Sequence, residues 1–125
     1  MMRTMLLVAL GGGIGSATRY LVSKLMHDTI GVASAFGTLA VNVCGCLLIG
    51  LLCGMSARGH IGGNATKALL VTGFCGGFTT FSTFCNENLA LMRGAHAMHA
   101  ALYAGGSVAL GLLAVAAGYW VAERL

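Results

Sequence analysis

Three glycines, four hydroxyl residues and four phenylalanines fall within residues 73–84, Gly73-Phe-Cys-Gly-Gly-Phe-Thr-Thr-Phe-Ser-Thr-Phe84. Adjacent glycines and threonines invite a helix to unwind, and freed backbone carbonyls then point at a common spot. Carbonyl oxygens coordinate hard cations. Aromatic rings add a positive edge beside their negative face, which can meet an anion without binding it tightly. All of this lies in residues 68–86, a run without a formal charge. Lipid offers no partners for loosened backbone, so such sequence must line a cavity or be buried in protein. Broken membrane helices commonly form ion or substrate sites. The chemistry implied is the non-covalent handling of a small solute that crosses a bilayer.

Phe78, Phe81 and Phe84 recur every third residue. On a regular helix successive members drift by only about 60°. They would form one stripe flanked by Thr80 and Ser82, with Thr79 and Thr83 on the far side. A stripe of this kind serves packing, or lines a narrow path with ring edges. Asn42 stands mid-span in Val41-Asn-Val-Cys-Gly45. Its amide is costly to bury without a hydrogen bond, so it bonds another helix or faces a small anion. Tyr103 and Ser107 are four apart and share a helical face, and Gly111 continues that row without a side chain.

The elements that carry these residues are spans. Of 125 residues, 58% are hydrophobic and 8% charged, and mean hydropathy is +0.88. A soluble domain needs far more charge to cover its surface. Residues 29–57, 68–86 and 94–122 carry no charge, and 4–18 forms a shorter run. A span needs roughly 20 apolar residues. The expectation is a single domain over residues 1–125, with four spans near 4–22, 35–55, 68–92 and 100–121. The first is read as a span and not a signal peptide, because Gly11-Gly-Gly interrupts it and no small-residue cleavage site follows.

The net charge of +4 comes from basic residues scattered singly near span ends, which points to the membrane interface and not to nucleic acid. Arg19 reads as an end-of-span anchor or a lure for anions at a vestibule. Glu87, the one acid inside an expected span, reads as an interfacial anchor near Arg93 or as a functional carboxylate. Cys44, Cys46, Cys53, Cys75 and Cys85 all fall in expected spans without a CxxC pattern, and read as buried, reduced thiols. His96 and His99 lack further ligands nearby and read as solvent-facing.

Four spans put Arg3, Arg58, Lys67 and Arg124 on one side and Arg19, Lys24 and Arg93 on the other. That near balance leaves two readings open: one fixed orientation, or insertion both ways with pairing as an inverted dimer. Four short helices enclose little interior, which favours a homo-oligomer. Gly11/Gly15, Gly50/Gly54 and Gly73/Gly77 have the small-xxx-small spacing of close helix contacts, within one chain or between chains. No Ser/His/Asp set, carboxylate pair, phosphate loop or zinc signature is present, so the chain does not read as an enzyme.

Taken together, Gly12-Gly-Ile-Gly-Ser-Ala-Thr-Arg-Tyr20, Gly37-Thr-Leu-Ala-Val-Asn-Val-Cys-Gly45 and residues 73–84 resemble, in order, the signatures of the Fluc (CrcB-like) fluoride channel family. The resemblance spans nearly the whole chain. It implies an all-α membrane protein of four transmembrane helices with a broken third helix, paired as a dual-topology antiparallel homodimer with two pores. It implies a fluoride-selective channel that passively exports fluoride across the plasma (inner) membrane of a microbial cell. A structural sodium ion would be held by the backbone carbonyls of Gly76 and Thr79. Asn42 would be the fluoride-facing amide, Phe81 and Phe84 the pore phenylalanines, and Tyr103 and Ser107 the polar track. Ser82 and Thr83 would support the pore, and Arg19 would supply vestibule charge. Gly111 departs from the hydroxyl expected at the end of that track. The alternative is a small dual-topology multidrug/cation exporter. Such a transporter needs a buried acid in its first span, and residues 4–22 contain none.

Overall fold

A computed structural model describes residues 1–31 and 34–125, and among these every regular element is helical. Helix α1 runs over Met2–Ile30 and α2 over Ser34–Ala57. The third span is composite: α3 (Asn64–Lys67), a π-helical segment (Ala68–Cys75), α4 (Gly76–Phe78) and α5 (Ser82–Arg93). Helix α6 covers Ala97–Glu123. Four stretches are long and apolar enough to cross a membrane: Met2–Thr29, Ala35–Ala57, Asn64–Arg93 and Ala97–Glu123.

Helix α1 stops at Gly31, whose φ of 73° puts it in the left-handed region that glycine adopts without strain. Its N–H closes the end on the carbonyls of Met26 and His27. The helix therefore continues well past the expected limit at 22, and Arg19 lies within it instead of at its end. Ala95, with φ of 62°, makes the turn between α5 and α6.

Two helix pairs build the bundle: α1 against the third span, and α2 against α6. Glycine brings both pairs together at backbone distance. A Cβ at Gly11 would run into the carbonyl of Leu69, and one at Gly15 into that of Phe74. A Cβ at Gly50 would meet the carbonyl of Val115, and one at Gly118 that of Leu47. The small-xxx-small pairs of the sequence thus serve contacts within one chain.

Few side chains are wholly enclosed. Val41 and Cys75 are the largest of them, with Phe78 and Thr38 nearly so. Leucines and isoleucines such as Leu6, Leu10, Ile14, Leu112 and Leu113 point outward, which suits a lipid surround. The cysteines correct the expectation of burial. All five are free, but only Cys75 is buried in the protein, while Cys44, Cys53 and Cys85 are exposed.

Candidate functional site: the turn at Thr79 and its two cavities

The third span changes conformation at Thr79, which is extended with φ −85° and ψ 157°. Its own N–H and Oγ1 still donate to the Cys75 carbonyl, at 3.0 and 2.9 Å. Beyond it the helical ladder is rerouted. The N–H of Thr80 goes to Asn42 Oδ1 at 2.8 Å, and that of Thr83 goes to Thr80 Oγ1 at 3.3 Å. In a continuous helix those two donors would serve the carbonyls of Gly76 and Thr79.

Side chains from two other spans hold the turn. Asn42, on α2, also donates through Nδ2 to the Thr80 carbonyl at 3.0 Å. Its amide thus bonds another helix, with one N–H left over. On α1, Arg19 Nε donates to the Gly77 carbonyl at 3.1 Å and Ser16 Oγ to the same oxygen at 3.4 Å. Thr80 Oγ1 in turn donates to Thr83 Oγ1 at 3.1 Å.

The phenylalanine stripe expected of a regular helix is split by this turn. Phe78 points inward and stacks on Phe74, with ring centroids 5.8 Å apart. Phe81 is 77% exposed, 5.9 Å from Phe84. Phe84 then meets Tyr103, on α6, at 5.1 Å. Tyr103 donates its hydroxyl to Glu87 Oε1 at 2.9 Å. Glu87 therefore turns toward Tyr103 and not toward Arg93 as an interfacial anchor would. The second oxygen of Glu87 and the hydroxyl of Ser107 are both buried without a hydrogen-bond partner.

Two cavities flank Thr80, which lines both. One, of about 360 Å³, is walled by Asn42, Thr79, Phe81, Phe84 and Ser107. Gly111 lies along the same wall, and a Cβ there would stand 3.5 Å from Cys46 Sγ. The other, of about 380 Å³, is walled by Arg19, Lys24, Thr38, Thr83 and Glu87. Its basic groups are partly offset by Asp28, which lies 3.7 Å from Lys24. Thr83 thus shares a cavity with Thr80 instead of lying on a far face, and Ser82 is exposed and lines neither space.

One cavity therefore brings Asn42, Thr79, Phe81, Phe84 and Ser107 together and the other Arg19 and Thr83, while Gly76 and Tyr103 line neither and Tyr103 adjoins the first through its contact with Phe84. Sequence reasoning passed over Ser16 and Thr38. A signal for Ser16 was present: it stands three residues before Arg19, on the glycine-bearing face of α1.

Comparison with known proteins places the chain in a family. Residues 6–119 match the family model described as CrcB-like protein, Camphor Resistance (CrcB). A protein of Phocaeicola vulgatus named fluoride-specific ion channel FluC is 43% identical, over 98% of this chain and 100% of its own length. One of Flavobacterium psychrophilum with the same name is 40% identical, over 99% and 100%. A fluoride-specific ion channel FluC 2 of Rhodococcus jostii is 46% identical, over 98% and 97%. These relatives are named as channels and not as enzymes. With its four apolar helices and a match along nearly its full length, the chain is a multi-pass membrane protein that belongs to the CrcB-like family.

Proposed function

We propose that this protein is a fluoride-selective channel that lets fluoride leave the cytoplasm passively across the inner membrane of a microbial cell. The observation that carries this reading is the cavity where Asn42, Phe81, Phe84 and Ser107 meet at the interrupted third span. Fluoride is small and strongly hydrated, so a path for it must replace the donors of water. The remaining Asn42 N–H, the Ser107 hydroxyl and the edges of the two rings are donors of that kind, while the single O–H of Tyr103 is already given to Glu87. Ser107 Oγ is buried without a partner in the chain, which favours an acceptor arriving from outside. The names of the relatives supply the ion.

The functional unit in this reading is an antiparallel homodimer. Phe81 is largely exposed and its cavity is open, so a second subunit is needed to close the path. The nearly even distribution of basic residues across the two sides favours insertion in both orientations. A structural sodium ion fits the interrupted third span. The carbonyls of Gly76 and Thr79 have lost their helical donors to Asn42 and to Thr80 Oγ1, and hard cations take carbonyl oxygens. The ion would neutralise those oxygens and fix the turn.

Fluoride release from liposomes holding the purified protein tests the reading. Fluoride efflux without matching chloride efflux supports it. Equal efflux of both ions, or of neither, rejects it.

A further inference from the structure

The Gly77 carbonyl joins the first and third spans through two side-chain donors. In a continuous helix the N–H of Phe81 would reach this oxygen. Thr79 is extended, and Arg19 Nε and Ser16 Oγ donate to the oxygen from α1, at 3.1 and 3.4 Å. The approach depends on bare backbone: a Cβ at Gly77 would run into the carbonyl of Gly12. Helix polarity favours the contact. Gly77 lies at the carboxyl end of the segment that stops at Phe78, where carbonyl dipoles attract a cation. A guanidinium within a span is itself costly unless it is hydrogen-bonded, so the turn and the arginine satisfy each other.

We infer that Arg19 is a positioning residue for the interrupted third span. By binding Gly77, it engages that carbonyl within the chain, next to those of Gly76 and Thr79, which have lost their helical donors. It also fixes the backbone from which Phe81 is presented to the cavity. This role differs from attracting anions at a vestibule, since it acts through the Nε bond to the backbone. It rests on the reading of Gly76 and Thr79 as the cation-binding carbonyls, and its test is arranged so that the two can fail separately.

The test is amide hydrogen exchange over residues 79–83 of the full-length protein in lipid, with fluoride efflux measured in parallel. A charge-assisted hydrogen bond is lost in Arg19→Gln, so exchange there quickens about tenfold while α6 is unchanged. Efflux falls with it. Arg19→Lys keeps the charge and a donor, and recovers part of both. Unchanged exchange in Arg19→Gln overturns the inference, and a loss of efflux without faster exchange would leave Arg19 as vestibule charge alone. Should Arg19→Gln fail to insert, Ser16→Ala reads the same carbonyl: exchange about threefold faster supports the inference, and unchanged exchange overturns it. A wild-type protein that moves no fluoride would end the channel reading and leave the exchange result standing.

Discussion

Asn42 holds Thr80 by both ends of its side-chain amide: Nδ2 donates to the Thr80 carbonyl at 3.0 Å, and Oδ1 accepts from the Thr80 N–H at 2.8 Å. One side chain on α2 thereby satisfies both backbone groups of a residue that has left the helical ladder. In a bilayer, where water cannot do this, the pairing lets the third span change direction with both backbone groups of Thr80 satisfied. The same residue borders the cavity with Phe81 and Phe84, so the scaffold and the proposed path share it.

Asn42→Asp removes both N–H donors of the amide, the one that holds the Thr80 carbonyl and the one left for the path. The carboxylate keeps an acceptor for the Thr80 N–H but sets a second oxygen against the Thr80 carbonyl. Removing a buried donor costs about 1–3 kcal/mol. Fluoride efflux should fall by about 5- to 150-fold by the scale of that loss, with the oligomer intact by size-exclusion chromatography. Normal efflux would remove Asn42 from the path.

Phe78 and Phe81 should respond in opposite ways, although both lie in the same motif. Phe78 is buried against Phe74, so Phe78→Ala destabilises the fold by about 3–5 kcal/mol, read as a lower unfolding midpoint in detergent. Phe81 is largely exposed, so Phe81→Ile leaves that midpoint nearly unchanged and lowers fluoride efflux. A fall in stability without a change in efflux for Phe81→Ile would contradict its assignment to the path.

Glycines of α6 divide in the same manner. Gly118→Val drives a side chain into the backbone of α2 at Leu47 and Leu51, and should separate α2 from α6 and abolish folded protein. Gly111→Ser places its Cβ at ordinary contact distance from Cys46 Sγ. It should fold as the wild type and add a hydroxyl to the wall of the cavity. Thermal unfolding in detergent distinguishes the two, and equal loss of folding in both would contradict the packing described for Gly111.

Dual insertion predicts that a reporter fused after Leu125 appears on both faces of the membrane in comparable amounts. Detection on one face only would refute dual insertion of this chain. An inverted dimer would then require a homologous partner.

The span pattern was legible because charge-free runs and lipid thickness together fix where helices can lie. The glycine pairs were legible as close contacts, but their partners were not, since spacing carries no address. Residues 73–84 announced a region of unwound backbone, yet the inward turn of Phe78 was hidden. Its direction depends on Thr79 leaving the helix one residue later, which periodicity cannot express. Arg19 was harder still. It reads as a span-end anchor because its partner is a main-chain carbonyl, and carbonyls leave no mark in a sequence. Glu87 stayed open between two readings for a related reason: Arg93 is near in the chain, whereas Tyr103 is near only once α5 and α6 pack together.

Selectivity for fluoride through a passive path is read from a reversal potential. Purified protein in a planar bilayer is given a fluoride gradient in one direction and an opposing chloride gradient in the other. A passive fluoride-selective path gives a reversal potential at the fluoride equilibrium value, unmoved when the chloride gradient is changed. A potential that follows chloride, the accompanying cation or the proton gradient would contradict it.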